Sequence, residues 1–474
     1  MKKKLLLLFF CSQFYFGFSQ KIEGNWHGDL AVSGQTIELI LHLTKNGTNY
    51  ESNWDVPIQG AKGMPSSTTI VNGNNLEIDI KGIQAGFSGV ASVDYSKIEG
   101  NWKQGGLNFP LVLKPLNPED APKEITKTQT PKPPYSYESE DITYVGSKTG
   151  LTYGATYSYP KNTKNFPVLI LITGSGQQDR DETLMGHKPF AVIADAFTKN
   201  GYGVLRIDDR GIGKSTGNFK ESTSEDFAND VEEHLAYIKT KPNINLKKIG
   251  LLGHSEGGII APMVAARNKD ISFLILLAAP GIPISELMTN QNKDVLKSTG
   301  IDDEVISTYL PLYKKLLTEI TSSKDIETAK KTALIEVQKW RKTSSKEQVK
   351  ATTNITDSNS EKAYVATMVN TLSTPWWKFF ANYKPQTNLE KIRCPVLVLN
   401  GGSDIQVSAQ PNINGIRTAL QKANNSLVTV NVFPKMNHLF QRCSLCSVAE
   451  YGQLATTIEP EVLQYMVEWL KNTL

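Results

Sequence analysis

Gly253-His254-Ser255-Glu256-Gly257 fits the pattern Gly-x-Ser-x-Gly, in which a serine stands on a sharp turn between a buried strand and a helix. The turn strains the backbone and closes only where the residues two before and two after the serine carry no bulky Cβ substituent. Gly253 and Gly257 meet that need. Before the turn, Lys248-Ile249-Gly250-Leu251-Leu252 reads as a short buried strand. After it, Gly258 to Ala266 reads as a helix, with Pro262 near its first turn. This context makes Ser255 a candidate nucleophile on a central strand of an α/β fold, against the blander reading of a serine in a Gly-rich turn.

A serine nucleophile needs an imidazole base and a carboxylate that orients the base, and on a strand-to-helix elbow these follow in the chain order Ser, Asp or Glu, His. The chain has six histidines, and His438 alone follows the elbow. It lies just past the strand pattern Ser426 to Val432, where a loop at the carboxyl edge of the sheet begins. The alternative for His438 is a surface residue capping the next helix. Cys394-Pro395-Val396-Leu397-Val398-Leu399-Asn400 reads as a buried parallel strand opening into Gly401-Gly402-Ser403-Asp404, so Asp404 is the candidate acid. Asp302 and Asp303 have no sheet strand before them and read as helix N-terminal charges.

Acyl transfer also needs backbone N–H donors facing the oxyanion. The strand Val168 to Ile172 runs into Gly174-Ser175-Gly176-Gln177, whose Ser175 amide is one candidate donor; the amide of Glu256, next after the nucleophile, is the other. A phosphate-binding loop is the rival reading, but the Lys and Ser/Thr of a P-loop are missing. Nothing in this chemistry calls for a metal or a cofactor.

Gly174 to Glu182, Arg206 to Ser215, Gly253 to Gly258 and Asn437 to Gln441 together resemble the bacterial α/β-hydrolases of the EstD type, a group of carboxylesterases. The resemblance runs from about Asp141 to the C-terminus. It implies a doubly wound, mostly parallel sheet, an esterase activity, and Ser255, Asp404 and His438 as the catalytic triad. Within it, the Asp208 to Ser215 turn is expected to brace loops beside the elbow.

The rest of the chain bounds its organisation. Met1-Lys2-Lys3-Lys4 followed by Leu5 to Phe10 is a basic and then apolar start, with small residues near Ser19, and reads as a secretory signal peptide over 1–20. Export to the periplasm or the medium is expected, with no integral membrane segment after cleavage. Without Lys2, Lys3 and Lys4, the 51 basic residues fall to 48 against 47 acidic ones, and no basic patch invites nucleic acid. The expected partner is a small-molecule ester. Residues 21–118 alternate in short runs such as Asn75 to Ile80 and read as a small all-β barrel or sandwich. Ile-Glu-Gly-Asn-Trp occurs at 22–26 and again at 98–102, which reads as a pair of strands with Trp26 and Trp102 in the core, sugar stacking being the alternative. A Pro-rich linker is expected over 119–136 and the α/β domain over 137–474.

A helical insertion of about a hundred residues, over about 282–386, is too long for an ordinary connection and reads as a cap over the site. Trp376, Trp377, Phe379 and Phe380 near its end are either pocket wall or cap core, and Trp376, Trp377 and Phe380 are the pocket candidates. Cys443 and Cys446 read as a structural disulfide clip in an exported chain, and Cys394 as a buried free thiol. The sequence thus points to a serine esterase. A prolyl-oligopeptidase-like peptidase or a thioesterase would use the same triad, and a carbohydrate- or lipid-binding protein with a silent hydrolase domain is the reading from another class.

Overall fold

The computed structural model describes residues 21–474 apart from 33–34, 58–60, 105–106, 118 and 120–124. The signal peptide expected at 1–20, and part of the expected linker, lie outside the described residues.

The first nine strands are β1 (Gly24–Val32), β2 (Gln35–Asn46), β3 (Asn49–Val56), β4 (Ala61–Pro65), β5 (Thr68–Asn72), β6 (Asn75–Ile80), β7 (Ala85–Ala91), β8 (Ile98–Gln104) and β9 (Leu107–Pro115). They form one antiparallel sheet in the order β4-β3-β2-β1-β9-β8-β7-β6-β5. Its outer strands β4 and β5 are consecutive in the chain, and Ser52 Oγ on β3 meets Thr69 Oγ1 on β5 at 2.7 Å, so the sheet curls into a barrel. Alternation sends Leu76, Ile78 and Ile80 of β6 inward. Inside, the Trp54 ring packs edge-on against Trp102 at 5.1 Å and Phe87 at 6.0 Å, and the interior is filled. The repeated pentapeptides do not pair with each other: β1 and β8 flank β9 on opposite sides, because β9 returns between the two halves of the meander. Trp26 and Trp102 are buried core residues.

The second sheet contains β10 (Glu138–Val145), β11 (Thr152–Tyr159), β12 (Phe166–Ile172), β13 (Gly203–Ile207), β14 (Ile244–His254), β15 (Ile271–Leu277), β16 (Val396–Gly401) and β17 (Val428–Phe433), in the order β10-β11-β13-β12-β14-β15-β16-β17. An antiparallel hairpin opens it, and from β13 onward every pairing is parallel. Its inner strands β12, β15 and β16 are apolar without alternation because both faces are covered, whereas the edge strand β10 is polar. Val168, Ile170 and Ile172 enter a core shared with helices α2 (Ser224–Ile238) and α3 (Gly257–Arg267), while Leu169 and Leu171 enter one shared with α1 (Pro189–Lys199) and the C-terminal helix. Pro262 is the sixth residue of α3 rather than a first-turn residue, since the helix begins directly after the elbow.

Seven helices lie between β15 and β16: α4 (Ile284–Ser298), α5 (Asp303–Ser322), α6 (Ile326–Thr343), α7 (Lys346–Thr353), α8 (Ser358–Leu372), α9 (Pro375–Asn382) and α10 (Gln386–Leu389). Apolar spacing on α5 and α6 gives the insertion its own core around Leu316, Ile320, Ala333 and Val337. Asp302 stands at the N-cap position of α5 without a side-chain capping bond, and Asp303 lies in the first turn, so both are helix N-terminal charges. Helices α11 (Ala409–Lys422) and α12 (Pro460–Thr473) complete the fold. Lys127 and Gln129, inside the stretch expected as linker, hydrogen-bond to main-chain groups at Gly452, Leu454 and Ile458, so this stretch docks on the α/β region instead of spanning free solvent. Cys443 and Cys446 form a disulfide. Cys394 lies just ahead of β16 and is only partly buried, with its thiol pushed up to about 11 by burial.

Candidate active site

The elbow is built by close approach. Ser255 holds φ at 51°, a left-handed value that costs a serine energy and is kept here by the turn around it. Its amide donates to Leu277 O at 2.9 Å and its carbonyl accepts from Gly258 N at 2.9 Å. A Cβ on Gly253 would lie 2.0 Å from Gly257 O, and one on Gly257 would lie 2.2 Å from Ile172 O. Those two distances are the physical content of the Gly-x-Ser-x-Gly spacing.

Past β17, the turn around Asn437 carries His438. Asn437 Oδ1 accepts the amides of Leu439 and Gln441, each at 3.0 Å, and so shapes the loop. His438 Nδ1 lies 2.8 Å from Asp404 Oδ2, and both side chains are buried. Asp404 Oδ1 accepts the amides of Gln406 and Val407 at 2.8 and 2.9 Å, which fixes the carboxylate after β16. A carboxylate can only accept, so Nδ1 carries the proton and Nε2 is left as the basic nitrogen of the neutral ring. Ser255 and His438 line one cavity of about 260 Å³. Among the described residues no hydrogen bond joins the Ser255 hydroxyl to His438, a contact that is often loose before substrate binds.

The same cavity is lined by Gly174 and Ser175 of the loop after β12, by Trp376, Trp377 and Phe380 of α9, and by Leu287 and Met288 of α4. The α9 aromatics serve as wall and core together, since Phe380 is buried and the Trp376 ring stacks on it at 4.6 Å. Phe379 does not line the cavity and stacks on Tyr383 instead. The loop after β12 is braced from behind. Asp209 accepts Thr173 Oγ1 at 2.9 Å and the Gln178 amide at 2.8 Å, and burial pushes its carboxyl up to about 8. Arg180 grips Asp208, and Arg210 grips Asp230, so the Asp208 to Ser215 turn supports the loop through ion pairs.

Two functional candidates carried no role in the sequence. His254 Nδ1 lies 2.9 Å from Glu182 Oε1, and His254 Nε2 lies 3.1 Å from the His438 carbonyl. Acceptors on both sides favour the doubly protonated ring. Burial opposes that charge, but the Glu182 carboxylate and the His438 carbonyl outweigh it and raise the His254 pKa. Glu182 Oε1 also accepts the Gly174 amide at 2.7 Å, so one buried ion pair ties the loop after β12 to the loop of His438. His254 was visible as the variable residue of the motif and Glu182 as the end of a quoted loop, but no local pattern pairs them.

A mostly parallel sheet, a glycine-flanked serine at the end of its central strand and an aspartate–histidine pair in the loops after β16 and β17 define an α/β hydrolase. The chain belongs to the α/β-hydrolase family described as "Serine aminopeptidase, S33", which matches residues 187–442. It is 31% identical over 297 residues to Esterase EstD of Thermotoga maritima, covering 60% of this chain and 69% of the relative. It is 29% identical over 185 residues to Dipeptidyl peptidase 8 of Mus musculus, covering 36% of this chain and 20% of that protein. Among solved structures it resembles the Pyrococcus furiosus esterase Pf2001, with a TM-score of 0.42 at 15% identity over 71% of this chain and 92% of that one.

Proposed function

We propose that this α/β hydrolase is an exported carboxylesterase acting on small to medium acyl esters through Ser255, His438 and Asp404. The single observation that carries the reading is the 2.8 Å contact of His438 Nδ1 with Asp404, beside an elbow serine that opens on the same cavity. In the reaction, His438 Nε2 takes the Ser255 proton as Oγ attacks the ester carbonyl. The amides of Ser175 and Glu256 hold the oxyanion, His438 returns the proton to the leaving alcohol, and water then resolves the acyl-enzyme by the same steps. Asp404 keeps the ring oriented and stabilises its charged form throughout.

The cavity supports the substrate class. At about 260 Å³ it lies just below the usual range of small-molecule sites, about 300 to 1,000 Å³. Its walls are largely apolar, and among the described residues no Lys or Arg lines it, which favours neutral substrates. An aminopeptidase reading asks for a free carboxylate to hold the substrate's terminal ammonium. Among the described residues Glu182 is the one acid lining the cavity, and it is already engaged by His254 and the Gly174 amide, so the ester reading is favoured over an aminopeptidase. Export rests on the sequence at 1–20; among the described residues no helix is long and apolar enough to cross a membrane.

The test is turnover of p-nitrophenyl esters from acetate to long acyl chains, beside aminoacyl p-nitroanilides and an acyl thioester. Short and medium esters should be the best substrates, and Ser255→Ala should lower kcat by about 10⁴-fold or more. Full activity in Ser255→Ala, or anilides turned over faster than esters, would overturn the proposal.

A further inference from the structure

The residue after the nucleophile has a second, unexpected connection. The side chain of Glu256 is buried at 2% exposure, and its Oε1 accepts two hydrogen bonds. One comes from Ser224 Oγ on α2 at 2.6 Å, the other from Trp376 Nε1 on α9 at 2.8 Å. The Ser175 side chain interacts with the same carboxyl group. Indole N–H is a donor only, so the Trp376 contact has one polarity. One carboxyl group therefore joins four elements: the elbow, the loop after β12, α2 and the helical insertion.

We propose that Glu256 is a positioning residue that locks the Trp376 wall of the cavity to the two amides facing the oxyanion. The inference rests on the esterase reading, in which those amides belong to Ser175 and Glu256. Its consequence is that the insertion does more than shape the acyl pocket. A substrate that seats against Trp376 also fixes the elbow and the loop after β12, so binding at the wall is expressed in kcat as well as in KM. The bond pattern needs an acceptor at Oε1 and no charge. Glutamine can supply it, its NH₂ group turning to the Ser175 hydroxyl, whereas alanine leaves the Trp376 and Ser224 donors without a partner.

The experiment is a double-mutant cycle on Glu256→Ala and Trp376→Phe, read as kcat and KM on p-nitrophenyl acetate and butyrate, with Glu256→Gln as the conservative variant. Circular dichroism reports folding, and fluorophosphonate labelling reports Ser255. Each single variant should lower kcat by between about tenfold and a hundredfold. The double variant should lose no more than the worse single, and Glu256→Gln should recover most of the kcat that alanine loses. Losses that multiply, or a Trp376→Phe variant that changes KM alone, would overturn the inference. If Glu256→Ala does not fold, Trp376→Phe and Glu256→Gln decide the question by the same criteria. A wild-type protein whose Ser255 is not labelled would sink the esterase reading itself, a result separate from the outcome of the cycle.

Discussion

Two aromatic clusters in this chain have nearly the same composition and opposite fates. In the β-barrel, Trp54, Trp102 and Phe87 fill the interior and are almost fully buried. In the helical insertion, Trp376 and Trp377 meet edge-on as the barrel rings do and Trp376 stacks on Phe380, but the three leave a cavity open over Ser255. What separates them is the second partner. The barrel cluster is enclosed by the strands of a curled sheet, whereas the α9 cluster faces the elbow, where Glu256 takes the Trp376 N–H and space is left beside it. Aromatic density alone therefore tells nothing about wall or core.

The largest expected effect sharpens that contrast. Trp54→Ala should cost the barrel about 3–5 kcal/mol, read as a fall in its unfolding transition, with ester kcat/KM unchanged. A change in kcat/KM would show that the barrel is not a separate filled core.

Acid should also divide the two regions. Burial depresses His187 to about 4 and His234 to about 3, from an ordinary value of 6.5. Their folded forms resist protonation, so the stability they carry is present above pH 6.5 and lost as pH falls from 6.5 toward those folded values. At pH 5 the loss is about 2 kcal/mol for each. His254 works the other way: its raised pKa stabilises below its unfolded value, and that gain fades as pH rises through the folded one. The barrel buries no histidine among the described residues. Calorimetry between pH 8 and pH 5 should lower the α/β transition and leave the barrel transition in place; equal shifts in both would break the comparison.

The smallest effect concerns the wall. Trp377→Ala should raise KM for butyrate esters about tenfold, roughly 1.4 kcal/mol, with a smaller change for acetate. A loss of melting temperature as large as that of Trp54→Ala, without a kinetic change, would make α9 a core helix like the barrel strands.

Much of this was legible in the chain because it depends on short-range rules. The elbow could be read from Gly253 and Gly257, whose absent Cβ atoms leave room for Gly257 O and Ile172 O. The sheet could be read from unbroken apolar runs such as Val168 to Ile172, which a two-sided core requires. Chain order singled out His438, and strand-end placement singled out Asp404, which the structure sets 2.8 Å apart. The pairing of the repeated Trp motifs was misread, because a repeat gives no register and β9 comes between the two strands. The docking of Lys127 and Gln129 was missed because a Pro-rich composition describes stiffness and says nothing of what a segment touches.

By itself, the sequence determined the class of fold, the turn that presents Ser255 and the order of the residues that can serve it, since these follow from local sterics and periodicity. Only the tertiary structure decided that Glu182 meets His254 across 72 residues and that Trp376 meets Glu256 across 120. Both contacts pair buried polar groups whose burial is tolerable only with a partner, and such partners are chosen by how helices and loops pack in space, where no local pattern reaches.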